Sequence, residues 1–508
     1  MGKLKKYVAL ASVFTLLMAT ITGCGGENNT SVGAEEAKQE SKDMETVSVY
    51  LPQASNFTEE GIATVEEEMN KIFKERYNVQ VDLNYISLGN WVTQSNLALT
   101  TDECDVITLV NSPLTSFVRN GQLAPLTSYY ENASNELKDI FSEDELKATT
   151  FDGEIYSLPR KFWAGTESAL FMSEKIVNEM GIDISTINSL EAVDKVLYQV
   201  HEAYPDIYTI VPAVEPSSLL DIWYYGDGMS DDRGRYGVVP FFDSDFDENN
   251  MKVKSLYETE KFKEICEYTH KWYSDGLVLP DVLSNTIDGG TYIKNGQAFA
   301  FMVRQQGNGY KNKTKDGMLT SPSLGPSINY SYTNTTVTYG ISSNSKHKDA
   351  AWTVLQSLYM DSDIVSLLAD GVDGVHTVLQ DDGTATFPEG VDRSNCAYGG
   401  IYQFWIYPNT MICPPSQIMG KDYVENLKAY SATVEPSPIV GFQWDSTDCT
   451  DEMTAVSNIH DKYYKALMSG VLDPKEVFPK IIDELKQAGM DKIIASEQEQ
   501  LDEFLKSK

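Results

Sequence analysis

Apolar and polar positions alternate along Val47–Leu51. The alternation returns over Val79–Ser87, at Val79, Val81, Leu83 and Tyr85, and predicts two strands with one buried face each. Between them the period changes. From Glu60 to Tyr77 the apolar residues Ile62, Val65, Met69 and Ile72–Phe73 recur at helical spacing. Trp91–Thr100 reads as a second helix and Asp105–Val110 as a short apolar strand. A helix over Pro113–Asn120 follows, with Gly121 as its stop signal. This strand–helix–strand–helix–strand order predicts a mostly parallel sheet with helices on both faces.

The pattern then loosens. Asp152-Gly153 is a turn signal inside Phe151–Pro159, and Pro159 fixes an extended exit. A new strand and helix begin at Ala169–Met172. Glu260–Ser274 is an amphipathic helix, Gly296–Met302 a turn leading into a strand, and Val337–Ile341 a further strand. Asp349–Met360 is a helix with Trp352, Leu355 and Leu358–Tyr359 on one face. Gln380–Thr384 reads as a hairpin turn. The C-terminal part is mostly helical. Asp451–Ser469 and Pro474–Gly489 end near Gly470 and Gly489, and a polar final helix covers Glu497–Lys508.

A chain of 508 residues is too long for one core and predicts two or three domains. Its net charge of −35 argues against nucleic acid or an anionic membrane surface as partners. Cys24 aside, Cys104, Cys266, Cys396, Cys413 and Cys449 form an odd, widely spaced set with neither a disulfide framework nor zinc spacing. Cys104 and Cys266 read as small core hydrophobes. A bridge among the other three stays open.

The N-terminus opens with Lys3, Lys5 and Lys6, and an apolar run follows from Tyr7 to about Ala19. That run is shorter than the roughly 20 residues a membrane span needs. Positive start, short apolar run and small residues make a secretory signal; a transmembrane anchor and a plainly secreted protein in which Cys24 is incidental are the alternatives to a lipoprotein. Ile21-Thr22-Gly23-Cys24 resembles the lipobox of bacterial lipoproteins. The resemblance implies a signal peptide over residues 1–23 and lipidation of Cys24. The protein would then be extracytoplasmic and held by its lipid at the outer face of a Gram-positive cytoplasmic membrane. Residues 24–46, rich in Gly, Asn, Ser, Glu and Lys, read as a flexible tether.

Several landmarks in order carry a second resemblance. They are Gly153-Glu154-Ile155-Tyr156-Ser157-Leu158-Pro159, Asn295–Phe299, and Tyr339-Gly340-Ile341 through Lys346 to Trp352. Farther on come Gly441-Phe442, Tyr463-Tyr464, Gly470, Leu485, Ala488–Ile493 and Gln498–Leu505. Together they resemble the family 1 extracellular solute-binding proteins of carbohydrate ABC importers, in the larger LipO-like lipoprotein subgroup. Gln443-Trp444-Asp445 departs from the expected smaller aromatic and leaves the role of Trp444 open. The resemblance implies an α/β, two-lobed periplasmic-binding-protein-like fold joined by hinge crossings. The lobes would be residues 47–164 with 302–363, and 165–301 with 364–508, the latter ending in the helical part. It further implies a monomer without cofactor that captures an oligosaccharide and delivers it to an ABC transporter permease.

A sugar offers a C–H face to aromatic rings and hydroxyls to planar polar groups. Trp272 and Trp352 fall on apolar helix faces and read as core. Trp91, Trp163, Trp223, Trp405 and Trp444 lie at element ends or in polar segments, where each serves either a ligand or packing. Trp163, shortly before Glu167, and Trp223, followed by Tyr224 and Tyr225, adjoin a crossing or loop with polar neighbours. Phe404-Trp405-Ile406-Tyr407 is a third aromatic cluster. Asn111 follows a strand end, where ligands of open α/β sheets gather. Arg304 follows another, and its fork can donate to two hydroxyls or form a salt bridge. The ligand-binding expectation is therefore Trp91, Asn111, Trp163, Glu167, Trp223, Tyr224, Arg304 and Trp405.

Catalytic and metal signatures are weak. Asp243–Asp247 begins like a calcium loop but lacks the sixth-place Gly and has Lys254 at the twelfth place. No His-Glu-x-x-His, Gly-x-Ser-x-Gly or phosphate loop occurs. A surface glycoside hydrolase, a binder of a non-sugar solute and an adhesin remain the alternatives.

Overall fold

The computed structural model describes residues 44–507 except 111–113, 162–164, 166, 214–218, 220–237, 241–250, 306–316, 325–327 and 330. The expected signal peptide, the tether as far as residue 43 and the Asp243–Asp247 loop lie outside the described residues, whereas Glu45 and Thr46, expected at the end of the tether, already pair as strand with Val79 and Gln80.

The first pass follows the predicted alternation. Strand β1 (Glu45–Gln53) buries Val47, Val49 and Leu51. Helix α1 (Glu59–Tyr77) starts at Thr58, whose side chain accepts from the Gly61 N–H, and stops at Asn78 with φ 52°. Strand β2 (Val79–Ser87) is tied to α1 by buried Asn70, which donates to the Val81 carbonyl and accepts from the Val81 N–H. Helix α2 (Trp91–Leu99), strand β3 (Val106–Val110) and helix α3 (Leu114–Arg119) follow. β1 pairs in parallel with both β2 and β3. Helix α4 (Glu143–Lys147) carries a capping box between Ser142 and Glu145. The predicted Asp152-Gly153 turn joins a short hairpin with both residues at positive φ, and the pass ends in β4 (Leu158–Pro159).

The chain then builds a second sheet from β5 (Glu167–Ser173), β6 (Tyr208–Ile210), β7 (Ala298–Gln305) and β8 (Met318–Thr320), in the order β8-β5-β7-β6. Helices α5 (Leu190–Ala203) and α6 (Glu260–Ser274) cover it. Trp272 of α6 is fully buried and donates its indole N–H to Asp194.

A short strand, β9 (Ile328–Asn329), leads back to β10 (Val337–Ile341). β10 inserts antiparallel between β3 and β4, completing the order β2-β1-β3-β10-β4. Helices α7 (Lys348–Met360) and α8 (Ser362–Asp370) pack on this sheet. Another short strand, β11 (Glu435–Pro436), precedes α9 (Thr450–Met468), α10 (Pro474–Gln487) and α11 (Met490–Ser507). The last helix starts seven residues before the expected Glu497, because Met490 and Ile493 already belong to its buried face.

Two separate apolar cores result. One runs from Val47 to Leu158 and from Val337 to Cys413. The other runs from Leu170 to Leu324 and from Ile439 to Leu501. Both later boundaries differ from expectation. Met302, Met318 and Leu324 belong to the second core, because β7 continues to Gln305 against β5. Ile364, Val365 and Leu368 of α8, with Tyr398, Tyr407 and Cys413, belong to the first. Cys104, Cys266, Cys396, Cys413 and Cys449 are all free and buried. Among the described residues no helix is long and apolar enough to cross a membrane.

Candidate ligand-binding site between the lobes

Strand direction places the crossings. Val337 at the start of β10 lies opposite Val110 at the end of β3, and Thr338 lies opposite Pro159 of β4. These three ends share one edge of the first sheet. In the second sheet Glu167 at the start of β5 lies opposite Gln305 at the end of β7, and Leu324 donates its N–H to the Ser168 carbonyl. The first two crossings therefore run from the carboxyl end of one sheet to the carboxyl end of the other. From Arg160 to Glu167 the chain reaches at most roughly 25 Å. Both sets of carboxyl ends thus open on one interlobe space, the place where open α/β sheets hold ligands. The second and third crossings are stitched together as well. β9 and β11 pair in parallel, and Ser437 donates to the Asn329 carbonyl at 2.8 Å.

A shelf closes the first lobe at this end. Gln403, fully buried, donates to the Pro52 carbonyl at 3.3 Å and to the Tyr407 hydroxyl at 2.9 Å, and accepts from the Ala54 N–H at 2.9 Å. It therefore clamps residues 396–409 onto the end of β1. Asn56 donates to the Cys396 carbonyl, and Thr58 N–H to the Ala397 carbonyl. Arg160, buried at the first crossing, donates to the Trp405 carbonyl. Its neighbour Lys161 places Nζ 2.8 and 2.9 Å from the two oxygens of buried Glu145. Arg160 thus fixes the crossing to the shelf and Lys161 fixes it to α4, each charged group retaining hydrogen-bonding partners.

This architecture has known counterparts. A family profile described as "Bacterial extracellular solute-binding protein" matches residues 55–361, more than half of the chain. The chain belongs to that family. Its place is therefore extracytoplasmic, and it is a binding protein rather than an enzyme. Residues 438–506 of this solute-binding protein match a further domain, one of unknown function. A "Carbohydrate ABC transporter substrate-binding protein" of Streptococcus pneumoniae is 24% identical, with 99% of each chain covered. The crystal structure of the N-glycan transport solute binding protein NgtS from Streptococcus pneumoniae superposes with a TM-score of 0.76 at 21% identity, covering 91% of this chain and 99% of that one. An HMO binding ABC-transporter associated solute binding protein from Bifidobacterium longum infantis gives 0.61 at 17%, with 91% and 99% covered. Two lobes are common to these structures.

The expected site residues of the solute-binding protein separate into four groups. Asn111, Trp163, Trp223 and Tyr224 lie outside the described residues. Glu167 and Arg304 are in β5 and β7, where Arg304 lies opposite Ser168 and Gln305 opposite Glu167. The backbone therefore brings the two to the same end of adjacent strands. Trp405 is half-buried on the shelf beside half-buried Phe404, whereas Ile406 and Tyr407 of the same cluster are fully buried.

Trp91 is the correction. It is only 1% exposed and packs in the first core, because α2 turns Trp91, Ser95, Ala98 and Leu99 inward together. It presents no face to a ligand. Trp444 is likewise buried and donates to Ser496, which settles it as a packing residue. Gln403 and Arg160 were missed. Gln403 acts on residues some 350 positions away and carries no local signal, while Arg160 directly follows the crossing motif that ends at Pro159.

Proposed function

We propose that the protein captures an oligosaccharide between its two lobes and delivers it to an ABC transporter permease, while a lipid on Cys24 holds it at the outer face of the membrane. The observation that supports this reading is the topology of the crossings, which bring the carboxyl ends of both sheets toward one space and pair the second and third crossings in the β9–β11 ladder, where the reading puts the hinge. The described relatives add the ligand class. One is a carbohydrate ABC transporter substrate-binding protein, and NgtS has been seen with Man1GlcNAc and with Man5GlcNAc. In this reading Trp163, Trp223, Tyr224 and Trp405 stack on sugar faces, and Asn111, Glu167 and Arg304 bond hydroxyls. Closure about the hinge then buries the sugar for delivery. Calorimetric titration with mannose–N-acetylglucosamine oligosaccharides tests it. Saturable one-to-one binding with no product is expected. Release of a cleaved sugar, or no heat with any member of an oligosaccharide panel, would overturn it.

A further inference from the structure

Immediately after the third crossing the chain touches the first lobe again, at a place outside the shelf. Asp445 and Arg119, at the end of α3, form an ion pair at 2.8 Å, with both side chains about half-exposed. Gln443 donates to the Ala148 carbonyl, just beyond α4, at 3.1 Å. Gly441 adopts φ +89° so close to α4 that a Cβ there would sit 2.9 Å from the Lys147 Cβ. All the partners reached belong to elements of the first lobe, whereas Phe442 and Trp444, which alternate with the three gripping residues, are buried in the second.

The gripping segment is itself held rigidly. Asp445 accepts from the N–H and hydroxyl of Thr447 through one carboxylate oxygen, leaving the other for Arg119. Gln500 of α11 accepts from the Asp445 N–H and donates to its carbonyl. Trp444 is tied to Ser496 of the same helix. The hydrogen bonds from Thr447, and after them the charge of Arg119, hold the Asp445 carboxyl below the usual carboxylate range.

These contacts all arise from residues 438–506, the domain to which no function is attached. We propose that this domain is an interlobe clasp: α11 anchors Gly441, Gln443 and Asp445 so that they grip α3 and the end of α4, and the grip sets the resting arrangement of the lobes before any ligand arrives. The proposal needs no sugar and so stands apart from the ligand reading.

Nitroxide labels at V92C and K475C, both exposed and one in each lobe, report the interlobe distance in the ligand-free chain. At low salt the parent should give one narrow distribution. R119D and D445R should each at least double its width, and the double reversal R119D/D445R should restore it. D445N, which keeps an acceptor for Thr447 but removes the charge, should broaden the distribution as well. So should 1 M NaCl on the parent, where the screening length falls to about 3 Å. Identical distributions in all chains, or broadening that the double reversal leaves in place, would overturn the clasp.

Discussion

Asp370 ends α8 only 7% exposed, and among the described residues its Oδ2 has no hydrogen-bond partner. Burial pushes its carboxyl up to about 8. The nearby Cys413 thiol and Tyr398 phenol are raised too, chiefly by their own burial. The position at a helix C-terminus also disfavours a negative charge. An aspartate in the unfolded chain titrates near about 3.9. Between that value and about 8 the folded chain keeps a proton that the unfolded chain releases, so stability falls as pH rises through this window and levels off above it. The slope is roughly 1.4 kcal/mol per pH unit, which makes about 2–3 kcal/mol between about pH 5 and pH 7. D370N substitutes a neutral amide of the same shape and removes this loss. Denaturant unfolding followed by tryptophan fluorescence, run on parent and variant across that range, isolates the effect because every other titrating group cancels in the difference. The difference should grow with pH in favour of the variant. A difference that stays constant with pH would refute an uncompensated carboxyl at this position.

Other perturbations follow from the same geometry. Gly470 has φ +78°, and a Cβ there would lie 2.1 Å from the Thr269 carbonyl oxygen, so G470A should destabilise the second lobe by about 3 kcal/mol or more. An unchanged urea midpoint would contradict this. W163A and W223A should each weaken oligosaccharide binding by about 1–3 kcal/mol in calorimetry. Equal affinity in parent and both variants would remove these rings from the site. C24A should shift the protein from the membrane fraction to the soluble fraction of expressing cells. Persistence on the membrane would rule out a lipid on Cys24 as the anchor.

Local periodicity made most elements legible. Val79–Ser87, Glu260–Ser274 and Val337–Ile341 have the residue ranges that their patterns predict. Each depends on neighbours along the chain, where apolar spacing and turn residues carry the information. What stayed hidden depends on distant partners. Nothing local says that β10 inserts between β3 and β4, or that the amphipathic face of α8 packs on the first core rather than the second. The site divides the same way. Arg304 stands out in the pattern because it falls at a visible strand end, and the backbone does place it there, across from Ser168. Trp91 misled because an aromatic at the first residue of a helix looks the same whether it points inward or out. The Arg119–Asp445 pair left no trace, since two charged residues more than three hundred positions apart resemble any others.

The insertion of β10 also bears on how such a chain comes to exist at all. β3 ends at Val110, but its antiparallel partner begins only at Val337, and Cys413 still belongs to the same core. A nascent chain therefore emerges with β3 and β4 lacking the strand that joins them until most of the protein has been made. Open strand edges of this kind invite mispairing, and contacts so distant in sequence form slowly. The same delay has a benefit for a protein that must leave the cytoplasm. A lobe that cannot close until Val337–Ile341 has been made stays threadable for that long.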